Sequence, residues 1–176
     1  MKNKLTTILF IIYLIFLTWI VVFKLNVSFS YMKNTRSVNL VPFSKPLILN
    51  GKVDFGEMIL NIIIFVPFGI YAGVLFKRWR VGKKVLLFVL ASLTCEGCQF
   101  ISGTGAFDIT DIITNTSGGL IGLMIFKGIE INFKTSVKAQ LFINIIAAIG
   151  TIVAIVFLLL LKTNNLWLFG KNIRYQ

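Results

Sequence analysis

MILNIIIFVPFGIYAGVLF, residues Met58–Phe76, runs through nineteen positions without one charged side chain. A helix of that length rises about 1.5 Å per residue and so reaches roughly the 30 Å of a bilayer's hydrocarbon core. The stretch therefore reads as a membrane-spanning helix. Asn61 lies near its start, and Pro67-Phe68-Gly69 near its middle. Proline cannot donate to the carbonyl four residues before it, so a kink is expected at Pro67.

Four further apolar runs flank this one: residues 5–23, 85–101, 109–126 and 141–161. Of the 176 residues, 57% are hydrophobic, more than a water-soluble chain of this size can hide. The expected fold is an all-α polytopic membrane protein. It has about five spans (5–23, 58–76, 85–101, 109–126 and 141–161), one domain over residues 1–176, and a long ordered loop between the first and second spans. The first run follows Lys2 and Lys4 and is followed by Lys24-Leu25-Asn26 rather than a small-residue cleavage site. It reads as a retained span and not as a signal peptide.

Lys and Arg number 18 against 6 Asp and Glu, a net charge of +12. The basic residues border the apolar runs, so lipid headgroups are the expected partner and nucleic acid is not. The chain has no histidine, which removes imidazole chemistry and the ordinary zinc sites. No cofactor or metal motif is present. Cys95 and Cys98 lie inside an apolar run and read as packing residues rather than a redox pair. Ser102-Gly103-Thr104-Gly105 reads as a tight turn.

Alternating spans put the N-terminus, the Lys77–Lys84 loop and the Lys127–Lys138 loop on one side, with ten basic residues against eight on the other. The contrast is sharpest between Lys77–Lys84 and the uncharged Ser102–Phe107 turn. The expected orientation is N-terminus in and C-terminus out. In either orientation, the long first loop and the Gly-rich third loop share one face.

That face collects the acids. Asp54, Glu57, Glu96, Asp108 and Asp111 all lie at span ends facing it, and only Glu130 lies opposite. Glu57 and Asn61 are four apart, Glu96 and Gln99 three apart, and Asp108, Asp111 and Asn115 follow a three-then-four pattern. Each set marks one stripe of a helix. Carboxylates near the hydrocarbon are costly and face protein interior or water. The expected site is a polar pocket of Arg36, Asn39, Glu57, Asn61, Glu96, Gln99, Asp108, Asp111 and Asn115, with Arg36 as counter-charge. Paired carboxylates can do acid–base work, bind a hard cation, or hold an amine or hydroxyl-rich headgroup. The competing reading is plain helix-to-helix hydrogen bonding. Pro67, Gly69, Gly118, Gly119 and Gly122 are expected to serve helix packing. Gly118-xxx-Gly122 is also a candidate oligomer interface.

Arg36-Ser37-Val38-Asn39-Leu40-Val41-Pro42-Phe43 resembles the first-loop motif of the VanZ family. Asn61 to Gly69 resembles its second motif. Glu96-Gly97-Cys98-Gln99, Asp108-Ile109-Thr110-Asp111 and Asn115-Thr116-Ser117-Gly118-Gly119 resemble the third. These motifs in order, from Arg36 to Gly122, carry the resemblance, and the first span and tail fit it. The chain looks most similar to the branch associated with teicoplanin resistance in Gram-positive bacteria. One departure stands out: many family members place an arginine shortly before the first aspartate of the third motif, whereas Gly103–Phe107 supplies none here.

The resemblance implies a protein of the cytoplasmic membrane that lowers susceptibility to teicoplanin-type lipoglycopeptides at the cell surface. Its partner would be a lipid-linked wall precursor or the lipidated drug. The alternative is a membrane enzyme acting on an envelope lipid or sugar, with Asp108, Asp111 and Glu96 as acid–base or cation-binding groups. A transporter reading has less support, because no repeat pair or mid-membrane site is evident.

Overall fold

The computed structural model describes residues 4–23, 37–43, 47–49 and 52–163. Five helices follow in order: α1 Lys4–Phe23, α2 Gly56–Leu75, α3 Val81–Ser102, α4 Ile109–Phe133 and α5 Ser136–Thr163. All five are long and apolar enough to cross a membrane. Ile8, Ile63, Leu86, Met124 and Ile152 are among many large apolar side chains left exposed. Such a surface suits hydrocarbon and not water, so the chain is a multi-pass membrane protein.

Three helices are longer than the apolar runs indicate. α3 begins at Val81, α4 continues to Phe133, and α5 starts at Ser136. Lys127–Lys138, read from sequence as a loop, is therefore mostly helix. The turn is confined to Lys134 and Thr135, with Lys134 at φ 55°. An apolar run marks what must lie in hydrocarbon, while helical hydrogen bonding continues into the interface. Lys127 and Glu130, three apart and 3.0 Å from each other, sit on this extension.

α2 and α4 form the centre. A Cβ on Gly69 would overlap the Gly119 carbonyl, one on Gly118 the Ile62 carbonyl, and one on Gly122 the Val66 carbonyl. The two backbones touch, which only glycine allows. Gly118 and Gly122 thus spend their small size on α2 of the same chain, not on a second copy. Phe126 covers Gly73 and Phe88 covers Gly119. Leu17, Val21, Phe65, Phe68, Ala72, Phe88 and Cys95 fill the core between α1, α2 and α3. Cys98 is exposed, and neither thiol is bonded.

α2 runs through Pro67 as one unbroken helix. The Tyr13 hydroxyl donates to the Ile64 carbonyl at 2.7 Å, beside the carbonyl that proline leaves without an N–H. α5 is peripheral, with 11% of its span buried. It is tied to α1 by Thr6, whose hydroxyl donates to Asn144 Oδ1 at 2.9 Å and accepts from Gln140 Nε2 at 2.7 Å.

Two small two-stranded sheets form in the connecting segments. β1 (Val38–Asn39) pairs in parallel with β4 (Phe107–Asp108), setting Asn39 opposite Asp108. β2 (Leu47–Leu49) and β3 (Lys52–Asp54) form an antiparallel pair. The sequence between them is Asn50-Gly51, the dipeptide that two-residue hairpins favour.

Candidate polar site at the loop end

The site is assembled around the entry to α4. α3 ends at Gly103, whose φ of 70° is a left-handed cap position that glycine occupies without strain. The chain then crosses in β4 and enters α4 at Asp108. Asp108 is the N-cap: its Oδ1 accepts from Thr110 N at 2.7 Å. Its Oδ2 accepts from Asn39 Nδ2 at 2.9 Å, and its own N–H donates to Glu96 Oε2 at 3.0 Å. The Thr110 hydroxyl accepts from Phe43 N at 3.0 Å, and Phe107 N donates to the Ser37 carbonyl at 2.9 Å. The first loop is thereby stitched to α3 and α4 through one aspartate and one threonine.

Beside this junction lies a cavity of about 260 Å³ lined by Ile20, Val21, Glu57, Leu60, Asn61, Glu96, Gln99 and Asp111. All four of α1 to α4 contribute. Asn61 Nδ2 donates to Asp111 Oδ1 at 2.8 Å, fixing one wall. Glu96 is 1% exposed and Gln99 3%, so both carry out polar work almost without solvent. Gln99 Nε2 donates to the Val21 carbonyl at 2.9 Å, while its Oε1 is buried with no partner. A buried amide oxygen left unpaired costs about 1–3 kcal/mol. Three carboxylates and two amides make the wall rich in acceptors. Among the described residues no three Asp, Glu or Cys side chains come close enough to share one metal ion.

Of the nine pocket residues read from sequence, five line this cavity: Glu57, Asn61, Glu96, Gln99 and Asp111. Asn39 and Asp108 stand behind it as the junction just described. Asn115 lies a turn deeper, fully buried, with Nδ2 donating to Ser92 Oγ at 2.8 Å. It joins α3 to α4 rather than lining the cavity, because helical spacing gives a direction but not a depth. Arg36 lies outside the described residues. Glu130 sits at the opposite end, with Lys127 and Ser136 as hydrogen-bond donors. Three contributions escape a reading by polar stripes. Ser92 and the Val21 carbonyl carry no distinguishing pattern. The capping role of Asp108 was open to recognition, since Asp108-Ile109-Thr110-Asp111 before an apolar run is a helix-start signature.

The VanZ/LLP1 family model matches residues 10–132, which include the first-loop motif and every lining residue of the cavity. The Enterococcus faecium protein named "Protein VanZ" is 40% identical over 139 residues, covering 77% of this chain and 83% of that protein. No solved structure matches the chain. The chain belongs to the VanZ/LLP1 family.

Proposed function

We propose that the protein lies in the cytoplasmic membrane of a Gram-positive cell and lowers its susceptibility to teicoplanin-type lipoglycopeptides. It does so by binding the lipidated drug, or a lipid-linked wall component, in the acceptor-lined cavity. The observation that carries this reading is the convergence of four helices on a cavity whose polar lining is Glu57, Asn61, Glu96, Gln99 and Asp111. The relative from Enterococcus faecium supports the setting. The loop bias of Lys and Arg supports an N-terminus inside, which turns the cavity toward the wall.

Expression in a sensitive Gram-positive host tests the function. Inhibitory concentrations of teicoplanin should rise and those of vancomycin should not. No change for either drug, with the protein present in the membrane, would refute the proposal. Orientation is tested separately with Ser102→Cys in a chain whose Cys95 and Cys98 are replaced by alanine. A membrane-impermeant maleimide should label it in intact cells. Labelling only after lysis would place this end inside.

A further inference from the structure

A second cavity, of about 360 Å³, lies between α1, α2 and α5. Tyr13 and Phe16 of α1, Pro67 and Ile70 of α2, and Ile146 and Gly150 of α5 are among its lining residues. Its origin is mechanical. Thr6, Gln140 and Asn144 pin α1 and α5 together at the basic end. Farther along, α5 presents Ala147, Gly150, Thr151 and Ala154, and nothing lies within 4 Å of a Cβ built on Gly150. A small-residue face in a membrane helix normally draws another helix close, but here the face is left unfilled. Ile146 on the rim is 53% exposed, so the crevice opens sideways toward lipid.

Ile20 lines both this crevice and the polar cavity. Ile20 thus borders both an apolar slot and an acceptor-rich chamber at the loop end. The slot's volume equals that of about a dozen water-sized groups. Within its walls that is room for one short hydrocarbon chain, and a second or longer chain would have to lie outside, in the bilayer.

We propose that the two cavities form one site for a single-chain amphiphile. Its hydroxyl- or amine-bearing head meets Asn61, Gln99 and Asp111, and its short acyl chain lies between α1 and α5, passing Ile20. This assignment deepens the function proposed above and rests on it for its biological meaning. Head recognition is by donors to the polar wall of the cavity. Chain recognition is by length and by the absence of a second tail.

The test uses the full chain in phospholipid nanodiscs and a decanoyl-glucamide carrying a diazirine near the end of its chain. Photolysis should label peptides containing Tyr13–Ile20 and Ile143–Ala154. Unlabelled decanoyl-glucamide should compete, whereas glucamine without a chain and a long-chain polyprenyl phosphate should not. Gly150→Phe fills the slot from a position with open space, and should cut labelling about tenfold, the result of a loss of about 1.4 kcal/mol in binding. Ala154→Phe fills it from the next turn and should act alike, which guards against misfolding of either variant. Labelling that survives both substitutions, or yields to the polyprenyl phosphate, would overturn the assignment. The outcome separates from that of the parent proposal. Specific labelling without drug tolerance would refute the function and leave the site. Full tolerance in variants that no longer label would refute the site's part in it.

Discussion

Gly122→Leu will sharply reduce the amount of this protein that accumulates in the membrane, whereas Gly128→Leu, six residues along the same helix, will have no comparable effect. The difference lies in what each added side chain meets. A Cβ on Gly122 overlaps the Val66 carbonyl and comes within 2.9 Å of Gly69 Cα, while nothing lies within 4 Å of one on Gly128. Overfilling a core whose side chains can shift costs about 1–3 kcal/mol. At Gly122 the obstacle is backbone, which cannot rotate aside, so α2 and α4 must separate and the cost should reach or pass the top of that range. Against a total stability of about 5–15 kcal/mol this is a large fraction. Quantifying both variants in membrane fractions, with melting of the purified proteins, checks it. Equal accumulation and equal melting would mean that the helix contact is less tight than described.

The second large effect is expected at Asp108. Asp108→Ala should free the first loop from the bundle, seen as faster protease cleavage between Val38 and Gly56 and faster amide exchange at β1. Two bonds are lost together: the N-cap to Thr110 N and the acceptor for Asn39 Nδ2. Loss of such a cap costs about 0.5–2 kcal/mol. The bond to Asn39 adds about 1 kcal/mol. Asp108→Asn retains one carbonyl oxygen and should fall between wild type and alanine. A loop equally protected in all three would show that Asp108 does not hold it.

Much of this architecture is written in the sequence, for a physical reason. In hydrocarbon every backbone group must be satisfied within the segment, so an uncharged run such as Met58–Phe76 has little choice but to be helical. The polar stripes are legible for the same reason. Glu57 with Asn61, and Glu96 with Gln99, sit on apolar helices where a polar residue can face only inward. Depth is less legible: Asn115 shares its stripe with Asp111, yet bonds to Ser92 a turn farther in. Pairing of Val38–Asn39 with Phe107–Asp108 could not be foreseen, since two-residue strands carry no periodicity. Nor could the crevice beside Gly150, which exists because α5 is pinned at Thr6 and lacks bulk beyond it.

The departure noted in the third motif also has a structural setting. Gly103–Phe107, which carries no arginine, is the segment that leaves α3 through a left-handed glycine and enters β4. Just past that segment, the N–H of Asp108 donates to the Glu96 carboxylate.

The central claim is that the acceptor-lined cavity does the work. The most direct measurement is the teicoplanin inhibitory concentration of a sensitive Gram-positive host carrying wild type, Glu96→Gln or Asp111→Asn at matched membrane abundance. Both replacements are close in size and keep an oxygen acceptor, so the bundle should survive. The account predicts that wild type raises tolerance and that each variant loses most of the gain. Full tolerance in both, at equal abundance, would contradict it.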